Sequence, residues 1–158
     1  MSTVSIRPAR ADDSEAIARV VKESWLATNR RFLPEDSAKA VMHGERLAEI
    51  TAMHWQSIWV GELDGAVVGA VAANDQGHMW MLYVLPEHQG LGIGSALYTA
   101  AIDTMRKSGT RKAMLEVLAA NESAVSFYRT RGWVPEGRRT EHIPGFRFTA
   151  VRMGLALS

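Results

Sequence analysis

The chain has 158 residues, 47% of them apolar and 22% charged, an ordinary globular mixture that fits one domain (residues 1–158) with enough material for a core. A formal net charge of +1 without a long block of like charge gives no reason to expect nucleic acid as a partner. The absence of cysteine excludes disulfides, thiolate metal sites and an acyl-cysteine intermediate. The opening MSTVSIRPARADD has no apolar signal core, and the longest apolar run, Ala66 to Ala73 interrupted by Gly69, is too short for a bilayer, so a soluble, cytoplasmic protein without a membrane partner is expected.

In chain order, Thr3 to Arg7 alternates as a short strand that stops at Pro8, and Asp12 with Glu15 forms a capping-box signature for a helix running to about Ala27. Ile17, Val20, Val21 and Trp25 recur at helical spacing, which makes Trp25 a core residue or part of a binding wall. After Arg30-Arg31-Phe32, Leu33-Pro34 opens a less regular helical region, broken at Gly44 and resumed through about Met53, that suits a cap beside a site or a poorly packed surface pair. From Ser57 the period becomes two: Ser57 to Leu63 and Ala66 to Ala73 flank Asp64-Gly65, a type I′ hairpin signal, and Asp75-Gln76-Gly77 turns the chain into His78 to Leu85. Three antiparallel strands therefore follow one another.

Next comes Gln89-Gly90-Leu91-Gly92-Ile93-Gly94-Ser95, between that last strand and a segment with Leu97, Ala101 and Met105 on one helical face. Glycines at alternate positions leave backbone N–H groups unobstructed at a helix start, where the dipole is positive, so the turn is an anion cradle or a loop that needs glycine only for its geometry. The helix ends at Lys107-Ser108-Gly109, Lys112 to Leu118 is the next strand, and a right-handed crossover sets it parallel to the strand ending at Leu85. Asn121 caps a helix with Val125, Phe127 and Tyr128 that stops at Gly132; two strands joined at Pro144-Gly145 complete the chain to Leu155.

Other glycine-loop chemistries fit less well. Gly90, Gly92 and Ser95 nearly match GxGxxG, and Glu116 lies at about the distance of a ribose-binding acid, but Pro86 to Gln89 separate the motif from its strand and an antiparallel meander precedes it. Ser95-Ala96 stands where a P-loop needs Lys-Ser/Thr, there is no GxSxG or HExxH, and His43, His54, His78, His88 and His142 lack metal-ligand spacing.

Two stretches resemble the GCN5-related N-acetyltransferase (GNAT) family. LYVLPEHQGLGIGSAL is similar to its strand and Q/R-x-x-G-x-G/A pyrophosphate loop, and LEVLAANESAVSFYRTRGW to its next strand and helix, with the Asn121 to Tyr128 spacing retained. Motif similarity covers Met79 to Trp133. The resemblance implies an α/β fold: a mixed, mostly antiparallel sheet with two splayed parallel central strands, flanked by helices. It also implies acetyl-CoA as acetyl-donor co-substrate, direct transfer to a primary amine of a small molecule or peptide, and no metal; a homodimer stays open. A CoA-binding module of the same fold without turnover is the alternative.

The chemistry of the residues agrees. The pyrophosphate of acetyl-CoA suits the N–H groups of Gln89, Gly90, Leu91, Gly92, Ile93, Gly94 and Ser95, and a strand edge at Leu82, Tyr83 and Val84 can bond the pantetheine amides and polarise the thioester carbonyl. By resemblance, Asn121 adds a side-chain contact to that arm, Tyr128 faces the sulfur as acid, and Glu116 stands where peptide-acetylating members keep a catalytic glutamate acting through water, with His78 or ordered water the other candidates for base. A base matters because a lysine-like amine of pKa about 10.4 is neutral in only about one molecule in a thousand at pH 7, a penalty of roughly 4 to 5 kcal/mol. The acceptor stays open among peptide N-termini, amino acids, polyamines and aminoglycoside-like amines. Ser24-Trp25 with Arg30 to Pro34 resembles a SWxxxYRxxLP pattern of small members, with Asn29 where an aromatic is common, and Arg138, Arg139 and Arg147 can favour an acidic acceptor or simply face solvent.

Overall fold

A computed structural model describes residues 3–41, 49, 51–143 and 145–157. The strands and helices are β1 (Val4–Pro8), α1 (Ser14–Asn29), α2 (Glu35–Val41), β2 (Ile58–Leu63), β3 (Ala66–Ala73), β4 (Met79–Val84), α3 (Ile93–Lys107), β5 (Lys112–Leu118), α4 (Glu122–Arg129), β6 (Val134–Ile143) and β7 (Phe146–Ala156). Residues 51–54 are helical; the break expected at Gly44, His43 and Pro144 lie outside the described residues.

The expected meander is present. β1 to β4 pair antiparallel in sequence order, and the Asp64-Gly65 turn has positive φ at both residues, 52° and 86°. The second sheet has the order β5-β7-β6, also antiparallel. The sheets meet at one parallel bridge between His78 and Met114, with the Met114 N–H donating to the Gly77 carbonyl at 2.7 Å. A Cβ on Gly77 would lie 2.2 Å from the Lys112 carbonyl oxygen, so glycine is what lets the two strands touch there.

α3 lies against the sheet where side chains are missing: a Cβ on Gly61 would fall 2.7 Å from Ile93 and one on Gly69 3.0 Å from Leu97. Leu97, Ala101 and Met105 are buried as their spacing predicts, and each large apolar side chain of this kind contributes about 1.5–3 kcal/mol by leaving water. α1 packs on β3 and β4 through Ile17, Val20 and Val21.

The start of α1 differs from the capping box expected at Asp12 and Glu15. A 3₁₀ turn, Ala11–Asp13, precedes the helix, and Asp13 takes the N-cap position of α1 without a side-chain bond to the helix; its carboxylate instead accepts from the Arg10 N–H, which opens the 3₁₀ turn, at 2.7 Å. Both its oxygens also accept from the Arg7 guanidinium, at 2.8 and 3.0 Å, and Arg7 Nε donates to Glu62. Arg7 of β1, a non-local partner, is folded against Asp13 rather than Asp12. Among the described residues no helix is long and apolar enough to cross a membrane.

Candidate active site

Beyond the His78–Met114 bridge, β4 pairs only with β3 and β5 only with β7, so the two strands part and a cavity of about 360 Å³ opens between them. In an antiparallel strand the N–H and C=O of one residue point to the same side and alternate along the chain. The Tyr83 carbonyl lies against Gly69 of β3, whereas the Val84 carbonyl accepts from Gln89 Nε2 at 3.2 Å on the other side. The backbone of Leu82 and Val84 therefore faces the gap. Tyr83, expected on the same edge, differs: its backbone serves β3, and its side chain lines the cavity.

The glycine turn continues this edge. A 3₁₀ turn, Pro86–His88, leads through Gln89 to Gly90 and Gly92, with φ of 84° and 82°, and Gly92 is the N-cap residue of α3. No atom lies within 4 Å of where a Cβ would sit on either glycine, so the backbone above α3 is open, and the first N–H groups of the helix have no partner within it. Leu91 is 56% exposed and offers the loop only its backbone, while the Ile93 side chain is buried in the core. Gly94 and Ser95, in the first turn of α3, line the concavity of about 550 Å³ over the turn, together with Asn121 and Tyr128. A polar, peptide-like arm fits the free edge of β4 and a pyrophosphate fits the open turn, so the residues present suit CoA.

Asn121 caps α4, its side chain accepting from the Ala124 N–H at 3.2 Å, and is buried beside both concavities. Tyr128, about two helical turns further on, also lines both. Its ring meets Phe127 and Trp133 edge-on, with centroids 5.1 and 5.6 Å apart. Burial raises the Tyr128 phenol well above its ordinary pKa, with nearby Tyr83 and Tyr98 adding to the rise, and burial pushes Tyr83 up to about 12. Both phenols are neutral hydrogen-bond donors across the physiological range.

Glu116 lines the cavity from β5 and is tied to β6: Arg139 Nη2 reaches its two oxygens at 3.4 and 3.3 Å, while Arg139 Nε donates to Glu141. His78 sits at the foot of the splay with its ring 5.5 Å from that of Trp80, and it is not among the cavity's lining residues. The structure thus brings Glu116, Tyr128, Tyr83, Asn121 and the Leu82–Val84 edge to one cavity and leaves His78 outside it. Among the described residues no cluster of three or more His, Asp or Glu is placed to hold a metal ion.

Ser24, Trp25 and Asn29 of α1, noted in the sequence for their resemblance to a pattern of small family members, stand in the wall, and Thr28, Trp80 and Phe148 join them without a sequence expectation. Trp25 satisfies both of its expectations, packing against the core and lining the cavity. Arg131 lies 3.5 Å over the Phe127 ring and donates to Ser95 Oγ at 3.3 Å, a cation beside the glycine turn. For Thr28 the available signal was its i, i+4 spacing from Ser24, two polar positions on one face of the helix.

A mixed α/β fold with a free strand edge, a bare glycine turn and a tyrosine at their junction is the architecture of a CoA-dependent acyl-transfer family. Residues 20–133 match the model of the acetyltransferase (GNAT) family. The chain belongs to that family. It is 30% identical over 118 residues to a mycothiol acetyltransferase of Streptomyces griseus, a match covering 70% of this chain and 38% of that protein. It is 28% identical over 144 residues to the phosphinothricin N-acetyltransferase of Streptomyces viridochromogenes, covering 85% and 76%. The chain thus spans well under half the length of the mycothiol acetyltransferases it matches. Among solved structures it resembles a GCN5-related N-acetyltransferase from Rhodopseudomonas palustris, with TM-score 0.84, 24% identity and coverage of 99% of this chain and 98% of that one. It also resembles the PaiA N-acetyltransferase of Thermoplasma acidophilum in complex with coenzyme A, with TM-score 0.75, 22% identity and coverage of 98% and 99%.

Proposed function

We propose that the protein transfers the acetyl group of acetyl-CoA to a primary amine. The observation that carries this reading is the continuity of three features: the gap-facing backbone of Leu82 and Val84, the bare turn at Gly90 and Gly92, and the half-buried Tyr128 that lines both concavities. Bound acetyl-CoA supplies an acetyl thioester. In the transfer, the amine nitrogen forms a bond to the carbonyl carbon, the carbon–sulfur bond breaks, the amine gives up a proton and the sulfur gains one.

The residues divide this work. The N–H groups of Gln89 to Ser95 and the positive end of α3 hold the pyrophosphate, and no metal is required. The free N–H groups of Leu82 and Val84 bond the pantetheine arm and stabilise negative charge on the carbonyl oxygen. Asn121, already committed by one lone pair to Ala124, has its amide N–H groups left for the same arm. Tyr128 donates a hydrogen bond to the departing sulfur. Because burial raises its pKa, complete proton transfer is favourable only where the thiolate is raised by the same dry surroundings; otherwise the phenol stabilises the thiolate and solvent completes the protonation. Glu116, held at the cavity wall by Arg139, takes the amine proton through water.

A cytoplasmic location goes with acetyl-CoA as donor. The test is incubation with acetyl-CoA and a panel of amines, following free CoA thiol and the mass of the product. Acetylated product supports the transferase; thermal stabilisation by acetyl-CoA with no product across the panel assigns a CoA-binding module instead.

A further inference from the structure

The acyl-transfer reading uses β4, the glycine turn and α4, and leaves one wall of the cavity without a role. That wall is α1. Ser24 is 1% exposed and lines the cavity, and its hydroxyl has no hydrogen-bond partner among the described residues. A helical serine commonly returns its hydroxyl to the carbonyl four residues back; this one does not, and a buried unpaired hydroxyl lowers stability unless something else satisfies it. One turn on, Thr28 lines the same cavity. Asn29, 7% exposed, donates Nδ2 to the Trp25 carbonyl at 3.2 Å, which leaves its amide oxygen and second amide hydrogen for another partner.

The surroundings narrow what that partner is. Trp25, Trp80 and Phe148 supply flat apolar walls, and among the described residues the lining carries one carboxylate, Glu116, and no Lys, Arg or His. Arg139, the cation close by, is turned to Glu116 and Glu141. Among the described residues none gives a carboxylate on the acceptor a counter-charge, and an unpaired buried carboxylate is costly. A hydroxyl both gives and takes a hydrogen bond, so it answers Ser24 Oγ and the Asn29 amide alike, and a ring bearing hydroxyls at its edge lays its apolar faces on the indoles. The cavity, about 360 Å³ and shared with the end of the pantetheine arm, is at the low end for small-molecule pockets, about 300 to 1,000 Å³, and leaves room for a small acceptor.

We infer that the Ser24, Thr28 and Asn29 face of α1 is the acceptor subsite, and that it takes an amine whose body carries hydroxyl groups, an amino sugar or amino alcohol, in preference to an amino acid or a plain alkyl amine. The inference rests on the acyl-transfer reading for its catalytic readout and on binding alone for a second one.

The experiment compares glucosamine, cyclohexylamine and glutamate as acceptors, with kcat/KM expressed per unprotonated amine because the sugar's amine is the least basic of the three. Glucosamine is expected to exceed cyclohexylamine by about tenfold or more, the return on one well-made polar contact. Ser24→Ala and the isosteric Thr28→Val are each expected to reduce that ratio severalfold, and Ser24→Ala to do so without changing the KM for acetyl-CoA and to raise the Tm by removing an unpaired hydroxyl. Cyclohexylamine used as well as glucosamine, glutamate as the best acceptor, or a loss in both variants that falls equally on glucosamine and cyclohexylamine would overturn the subsite. Calorimetric titration of glucosamine into the CoA-loaded protein separates this from the catalytic reading. Binding that Ser24→Ala abolishes supports the subsite even if no amine is turned over, and absence of binding removes it even if other amines are acetylated.

Discussion

Gln89 Nε2 donates to the Val84 carbonyl across 3.2 Å, so the side chain that opens the glycine turn is fastened to the last residue of the strand it follows. The bond takes one of the two lone pairs that Val84 offers the gap, leaving the Leu82 carbonyl and the N–H groups of Leu82 and Val84 for a ligand arm. It also fixes the angle between strand edge and turn, the two surfaces that one extended ligand has to touch together.

Gln89→Ala is therefore expected to weaken acetyl-CoA binding by about five- to tenfold, near the worth of one hydrogen bond of about 1 kcal/mol, with the Tm little changed. Calorimetry with acetyl-CoA measures this directly. An unchanged Kd would mean that the turn keeps its angle without the clamp.

Tyr128→Phe keeps the ring between Phe127 and Trp133 and removes only the hydroxyl. If that hydroxyl stabilises the departing sulfur, kcat falls by about 10² or more while acetyl-CoA affinity holds. Its raised pKa adds a pH expectation: the protonated phenol is the working form and stays so above pH 10, so no loss of activity assignable to Tyr128 ionisation should appear at the alkaline end of a practical profile. An unchanged kcat in the variant would leave protonation to solvent.

What could be read from the sequence was local. The Asp64-Gly65 turn was legible because both its residues need positive φ, the strand Lys112 to Leu118 because its pattern is bounded by turn residues, and the Asn121 cap because its partner, Ala124, is three residues away. The acetyl-CoA side of the cavity came from two contiguous motifs on either side of one crossover. What stayed hidden depends on distant partners. Asp13 rather than Asp12 holds the N-cap position of α1 and is met there by Arg7, Glu116 meets Arg139 from another strand, and nothing in the sequence shows that Ser24 is left without a partner. The backbone of Tyr83 faces β3 rather than the gap for a related reason: the direction of a strand's alternation is set by its pairing with β3, which the sequence does not show.

The Arg7–Asp13 pair fixes where α1 begins, and with it the position of the cavity wall that α1 supplies. The hydrogen bond from Arg7 holds the Asp13 carboxyl below its usual range, against the opposing effect of burial, and the Arg10 backbone N–H assists. A carboxylate whose folded pKa is depressed contributes stability that is fully present above the unfolded pKa of about 3.9 and is lost as pH falls through the folded value. Asp13→Asn should lower stability at pH 7 by roughly 1–3 kcal/mol, toward the lower end for breaking a shielded pair because Glu62 still holds Arg7. Urea unfolding at pH 7 and at pH 3 is the check: the gap between parent and variant should narrow at the lower pH. A gap of equal size at both would mean that hydrogen-bond geometry, and not charge, is what matters.

The Glu116–Arg139 contact admits two roles for the carboxylate, and pH separates them. As a base acting through water, Glu116 is needed only while the acceptor amine carries a proton. Glu116→Gln should then cost most well below the amine's pKa and progressively less as pH approaches it, since the amine loses its proton unaided. As one half of an ion pair joining β5 to β6, Glu116 would instead shape the cavity wall, and its loss would lower kcat/KM by the same factor at every pH. Arg139→Ala makes the two outcomes more distinct. It frees the carboxylate without removing it, so under the base role its pH profile should keep the parent's shape, whereas under the structural role it should reproduce the uniform loss of Glu116→Gln. The measurement is kcat/KM against pH for the parent and both variants with one acceptor. Parallel profiles for all three would take Glu116 out of proton transfer, leave ordered water in the cavity as the base, and make the ion pair a device for placing the acceptor.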